Sequence, residues 1–311
     1  MGRAEKRRKA LFCWPTRIAL NTFMNYRMLV TTFYGDLPQF KMFCHCLAKN
    51  WKGVPDLIVC IGAGENTQVY REITDSAFPA AWKIDIKESL HSYPTAGYTE
   101  MQVNTVYYSV TSGADAVIIW DCKDFVLKPC DLNMFVKDGQ YRLTKRFQDI
   151  KMVDMGYDFT GFLDVPFDDL PGLNNIRPWI WNVEQLTRCW NYLNQRFGDC
   201  STWHSFPGPG FFPGATEIYS YYVYAMKDPK RTIEFIDIDN QKYNALMYAG
   251  AYSNMTYENL LIEADSFNTW PDLVVWKHSR RHKDDPRFLA VTKSMLLKYG
   301  IDKDLIDHVY R

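Results

Sequence analysis

No stretch of this chain approaches the roughly 18 consecutive apolar residues of a membrane-spanning helix, and no apolar core follows its basic start as one would in a secretory leader. The expectation is a cytosolic protein with no membrane partner. Net charge is missing as well, because 36 Lys+Arg balance 36 Asp+Glu, so no overall field draws the molecule to nucleic acid or to an anionic surface. The eight cysteines, Cys13, Cys44, Cys46, Cys60, Cys122, Cys130, Cys189 and Cys200, have neither the density of a disulfide framework nor a CxxC pair. They read as buried thiols. Cys44-His45-Cys46 is half of a zinc pattern without a second Cys/His pair at suitable spacing. Three catalytic signatures are absent too. Without GxGxxG a dinucleotide dehydrogenase is disfavoured, without GxxxxGKS/T a P-loop kinase has no support, and without GxSxG there is no nucleophile elbow.

What the chain does have is 311 residues, 47% of them hydrophobic and 16% aromatic, enough to bury a large core and to exclude disorder. From Met28 onward strand-like and helix-like segments alternate. Leu29 to Phe33 reads as a β-branched first strand, Leu37 to Trp51 as a helix, and Asp56 to Gly64 as a buried strand ending in glycines. Asn66 to Ala77 is a helix with Asn66 as its cap, Trp82 to Ile86 a short strand, and Tyr98 to Ser112 a helix that leads into the strand starting at Ala114. This βαβαβαβ order predicts an α/β fold with a mostly parallel, Rossmann-like sheet and right-handed crossovers. Farther on, Trp179 to Phe197 has a helical pattern, and Cys200 to Gly214 is a shaped Gly/Pro/aromatic loop before a helix at Ala215 to Met226. The spacing then predicts a helix at Tyr257 to Ala264, a strand at Asp272 to Lys277, and a helix opened by Asp285-Pro286.

Chemistry-bearing residues collect at strand ends. The buried run Ala114 to Trp120 leads straight into Asp121-Cys122-Lys123-Asp124, and in open α/β sheets ligands bind beyond the carboxyl ends of the strands. Either the two aspartates cap a turn, or they meet a sugar or ribose hydroxyl or a divalent cation. In an extended chain Asp121 and Lys123 would share one face and Asp124 the other. Lys123 either neutralises a phosphate or pairs with the aspartates. Thr31 to Asp36, at the end of the first strand, is placed to accept hydrogen bonds from a base or ribose. Gly62-Ala63-Gly64 is a weak phosphate-loop signal beside the plainer reading of a tight turn. Val275 to His282 ends a late strand with His278 and the basic Lys277, Arg280 and Arg281, which could hold a metal or a diphosphate, beside the plainer reading of His278 as a satisfied structural histidine. Trp203, His204 and Glu217 flank the aromatic loop, where rings either stack on a sugar or base or pack in the core, and Glu217 either serves the site or caps a helix. Two basic clusters, Arg3 to Arg17 and Lys277 to Lys283, are either solvated or track phosphates.

Together these pieces resemble a GT-A glycosyltransferase, in particular small glycosyltransferase-like proteins of bacteria and phages. The likeness lies in VIIWDCKDFVLKP as a DxD-type block, in Gln102 on the preceding helix, in PGATEIYSYYVY after a Pro/Gly loop, and in VVWKHSRRH at a strand end. It covers roughly Met28 to Tyr299 without a long block of identity. The resemblance implies a GT-A domain with a basic segment at 1–27, a nucleotide-sugar-binding half at 28–140, and an acceptor-binding half with a smaller α+β region at 141–311. It implies sugar transfer from a nucleotide-sugar donor to a hydroxyl, with a hydroxymethylated pyrimidine in phage DNA as one acceptor class and the host cytoplasm as the setting. Asp121, Asp124 and Glu217 would be catalytic, with Asp164 an alternative to Glu217. Thr31, Thr32, Phe33, Asp36, Gln102, Lys123, Lys277 and Arg280 would bind the donor, and Asp121, Asp124 and His278 would hold Mn²⁺ or Mg²⁺ as a Lewis acid. One position departs from the family pattern. Lys123 stands where the last aspartate of DxD belongs, so its ammonium could replace the cation. A nucleotidyltransferase of similar fold, or a module that binds a nucleotide sugar or nucleic acid without turnover, are the alternatives.

Overall fold

The computed structural model of the chain describes residues 24–90, 97–145, 177–197, 221, 224–225, 228–230, 233–237, 248–251, 255–271, 273–279, 282 and 284–310. The first strand, β1 (Tyr26–Thr31), is followed by a 3-10 turn at Tyr34–Asp36 and helix α1 (Leu37–Asn50). Then come β2 (Asp56–Ile61), α2 (Thr67–Ala77), β3 (Ile84–Glu88), α3 (Gly97–Val110) and β4 (Ala116–Asp121). The alternation expected from β-branched runs and caps is present. Asn66 caps α2 by accepting the Gln68 N–H at 3.0 Å.

These strands form one five-stranded sheet in the order β3-β2-β1-β4-β8, where β8 is Trp179–Asn182. The first four run parallel, and β8 lies antiparallel to β4. The α/β class is as expected, but the sheet is mixed where the buried apolar runs suggest a mostly parallel one. Trp179-Ile180-Trp181-Asn182 is also not the start of a helix. Its aromatic and β-branched side chains suit a pleated surface, and an antiparallel edge strand needs no crossover helix to reach its partner. Helix α4 begins only at Val183 and runs to Phe197.

Two smaller mixed sheets complete the described residues. In one, β5 (Asp124–Val126) and β10 (Tyr248–Ala251) flank β11 (Val275–His278), with β10 parallel and β5 antiparallel to it. In the other, β6 (Val136–Lys137), β7 (Gln140–Lys145) and β9 (Ile233–Asp237) lie side by side. Three further helices follow β10 and β11: α5 (Tyr257–Thr269), α6 (Pro286–Lys298) and α7 (Lys303–Val309). Asp285 caps α6 through the Arg287 N–H at 2.9 Å, with Pro286 in the first turn, as the sequence predicts.

The core explains why β1 and β4 are central. Met28, Leu29, Val30 and Ala116 through Trp120 are wholly buried, because α3 packs on β1 and β2 from one side while α1 packs with α2, β5 and α7. Trp120 meets Trp51 edge-on at 6.3 Å and Phe135 at 5.9 Å, within one cluster that also takes in Trp276, Phe288 and Ile306 from the last third of the chain. Edge-on aromatic pairs of this kind add to the area they bury. A test follows from this packing. Ile118→Ala in β4 should cost about 2–5 kcal/mol by leaving a cavity, whereas Ile262→Ala on α5, where the side chain is 63% exposed, should change stability by less than about 0.5 kcal/mol. Urea unfolding with an unchanged slope would check both.

Candidate functional site

In the order β3-β2-β1-β4 the chain builds outward from β1 to β3 and then crosses back to β4. The β1/β4 boundary is therefore a topological switch point, where connections diverge and leave a crevice at the strand ends. Thr31 and Asp121 are register partners at that edge. Just beyond them the chain brings together three aspartates and three cations.

Cys122 and Lys123 form a turn between β4 and β5. Asp121 and Asp124 therefore converge, instead of facing opposite sides as an extended chain would place them. The Lys123 N–H donates to Asp121 Oδ1 at 3.2 Å, and the Asp121 N–H donates to Asp124 Oδ2 at 2.9 Å. Lys277 comes in from β11, directly opposite Asp124 in the ladder. Its ammonium lies 2.7 Å from Asp124 Oδ1 and 3.4 Å from Asp121 Oδ2. Lys123 Nζ lies 2.8 Å from Asp121 Oδ1 and 3.2 Å from Asp36 Oδ2. Asp36 precedes α1 but makes no side-chain cap; its carboxylate reaches across the crevice instead. Arg177 lies beside the group, donating from Nη1 to Thr31 Oγ1 at 2.9 Å and to the Trp120 carbonyl at 3.4 Å and acting on the Asp121 charge.

This cluster is internally neutral and only partly open. The side chains of Asp121, Lys123 and Lys277 are 23%, 17% and 13% exposed, and Asp124 is fully buried. Burial works to raise the Asp121 value, but Lys123, Lys277 and Arg177 outweigh it and hold the carboxyl well below the usual range. For Asp124 burial wins, aided by Asp121 and opposed by Lys277, and its value is raised. Burial alone would lower Lys123 and Lys277, yet the carboxylates beside them raise both. The lysines are thus fully charged at neutral pH. The arrangement offers ammonium donors to phosphate oxygens and a carboxylate acceptor to hydroxyls.

Other expected residues fall in different places. Thr32 is buried and donates its N–H to the Cys60 carbonyl at 2.9 Å, and Phe33 opens the turn that carries Asp36. Gln102 is wholly buried on α3 and its side-chain amide makes no hydrogen bond to a described residue, although its neighbour Met101 touches Arg177 through its sulfur. His278 is not brought to the aspartates. Strand alternation turns Lys277 toward Asp124 and its neighbours Trp276 and His278 toward α6. There Thr292 Oγ1 lies 2.9 Å from His278 Nδ1 and accepts the Trp276 indole N–H at 3.2 Å. Gly62 to Gly64 forms a plain turn. Its Gly62 N–H donates to Glu65, which also accepts the Tyr34 N–H at 2.8 Å and the Tyr70 hydroxyl. Glu217, Arg280, Asp164, Trp203 and His204, and residues 1–23 with the first basic cluster, lie outside the described residues. All described cysteines are buried thiols, Cys44 and Cys46 among them.

The donor set does not fit the divalent cation that the resemblance implies. A hard cation needs several oxygens on one side of it, but here two ammonium groups already occupy the carboxylates, and His278 faces the other way. Among the described residues no three His, Cys, Asp or Glu side chains form a metal group. Sequence reasoning missed Arg177 and Glu65. The only signals were an arginine set before Pro178 at the entry to an aromatic strand, and a glutamate directly after the glycine turn.

No family model matches this chain, and no curated protein matches it. The functional reading rests on the site's geometry and chemistry together with the resemblance that its motifs carry.

Two tests probe the site's scaffold. Gly250, at φ +127°, faces Lys277 across the β10/β11 ladder, and a Cβ there would lie 2.4 Å from the Lys277 carbonyl oxygen. Gly250→Ala should therefore displace the lysine and cost at least about 1 kcal/mol, read by thermal unfolding. His278 is held down at about 4, by burial first and then by His282. Because the unfolded histidine protonates near 6.5 while the folded one resists, its stabilising contribution is complete above pH 6.5 and drains away as pH falls toward 4. The stability gap between wild type and His278→Gln should shrink by roughly 3 kcal/mol over that window.

Proposed function

We propose that this chain is a GT-A-type glycosyltransferase that binds a nucleoside-diphosphate sugar at the β1/β4 crevice and passes the sugar to a hydroxyl acceptor. The observation that carries the reading is the meeting of Asp36, from the loop after β1, with Asp121 and Lys123, from the turn after β4, across the switch point. A nucleotide bound there would lie along the Thr31 to Asp36 loop, whose Tyr34 is 59% exposed. The partly exposed Asp121 carboxylate suits a ribose or sugar hydroxyl. Lys123 and Lys277 suit the diphosphate.

In the transfer, the bond between the anomeric carbon and the diphosphate oxygen breaks, and its electron pair stays on that oxygen. The acceptor oxygen bonds to the anomeric carbon and gives its proton to a base or to solvent. Fixed ammonium donors aimed at the oxygen that gains charge stabilise this step more than they stabilise the bound donor. Because the six charged groups cancel, a bare anion gains little from the site as a whole, and affinity must come from hydroxyl and base contacts as well.

A thermal-shift panel of UDP-, GDP-, CMP- and dTDP-sugars tests this. One of the UDP-, GDP- or dTDP-sugars should stabilise the protein, by about 2.7 kcal/mol at a hundredfold excess over Kd, and CMP-sugars, which carry a single phosphate, and inorganic pyrophosphate should shift it far less. Asp121→Asn should lose most of the shift. Equal shifts with pyrophosphate, or none with any sugar nucleotide, would contradict the reading. Stabilisation by a nucleoside triphosphate with release of pyrophosphate would replace it with a nucleotidyltransferase.

A further inference from the structure

We infer that this site handles the diphosphate of its donor without a divalent cation, with Lys123 and Lys277 supplying the positive charge. The inference rests on the reading of the crevice as a nucleotide-sugar site and states how that site neutralises its ligand.

The oxygens of Asp121 and Asp124 that a cation would use are already engaged. Asp121 Oδ1 receives both the N–H and the ammonium of Lys123, at 3.2 and 2.8 Å, and Oδ2 faces the Lys277 ammonium at 3.4 Å. Asp124 Oδ1 is bound to Lys277 at 2.7 Å, and Oδ2 to the Asp121 N–H at 2.9 Å. A cation at the roughly 2.0–2.6 Å that hard-oxygen coordination requires would sit against two ammonium groups and would have to expel them.

The ion pairs themselves oppose expulsion, because displacing either ammonium leaves a buried carboxylate without its counter-charge. The Lys277 backbone, from which one ammonium reaches, is held on both sides, by Asp124 as its ladder partner on β5 and by the close approach of Gly250 on β10. Its ammonium uses two of three protons on Asp121 and Asp124, which leaves one donor without a partner among the described residues. Lys123 bridges Asp121 and Asp36 and so spans the crevice. Both lysine side chains stay partly exposed at the strand ends, Lys123 by 17% and Lys277 by 13%. The carboxylates keep two like charges close together and oriented before the ligand arrives. Fixed ammonium groups can then do electrostatically what a metal does for a leaving diphosphate.

The test combines donor-induced thermal shifts in EDTA and in Mn²⁺ with a Mn²⁺ titration followed by electron paramagnetic resonance. The wild-type shift should be the same in both conditions, and wild-type Mn²⁺ binding should not change in Asp124→Asn. Lys123→Asp combined with Lys277→Met, which creates an Asp-x-Asp pair and removes both ammonium groups, should bind Mn²⁺ at least tenfold more tightly than wild type. A donor shift that disappears in EDTA would overturn the inference. So would wild-type Mn²⁺ binding that weakens tenfold in Asp124→Asn, or no gain in the Lys123→Asp/Lys277→Met double variant. If no sugar nucleotide shifts the protein in either condition, the functional reading fails, while the Mn²⁺ titration of the apoprotein still decides the metal question.

Discussion

The Lys277 ammonium, held between Asp121 and Asp124, is the contact on which the site depends. It comes from the smaller sheet and lands on the carboxyl end of the large one. Removing it would leave a buried carboxylate with no counter-charge, and breaking such a pair costs about 3–5 kcal/mol, even where an apolar replacement of the whole pair would be nearly neutral. The cluster is thus better understood as specifying geometry than as adding stability. It fixes the Cys122-Lys123 turn, the position of β5, and the reach of Asp36 across the crevice.

Around that contact the molecule divides its labour between faces. On β11, Lys277 turns toward the charged crevice while Trp276 and His278 turn toward Thr292 on α6. Burial that keeps His278 neutral also keeps it away from ligand chemistry. The same strand therefore anchors the C-terminal helices on one side and delivers a cation to the site on the other. Gly250 makes this possible, since any side chain at that position would push the Lys277 backbone aside.

Much of the fold was legible in the sequence, for local reasons. Unrelieved apolar runs mark β1, β2 and β4; Asn66 and Asp285-Pro286 mark helix starts because their side chains satisfy N–H groups there. The strand at Trp179 was not legible, because an aromatic run flowing directly into α4 has no punctuation to separate the two. In the site, Asp121, Asp124, Lys123 and Asp36 could be picked out as strand-end residues, but their convergence could not. It depends on a two-residue turn that reverses the facing of Asp124, and on Lys277, which lies 153 residues away in the chain. Arg177 was invisible for the same reason. Its partners, Thr31 and the Trp120 carbonyl, belong to strands laid down long before it.

The most direct test of the central claim is a crystal structure with a nucleoside-diphosphate sugar bound. The account predicts the diphosphate within hydrogen-bonding distance of Lys123 and Lys277, a ligand hydroxyl on Asp121, and the base along the Thr31 to Asp36 loop. A ligand seated anywhere else, with the Asp121–Lys277–Asp124 bridge untouched, would contradict it.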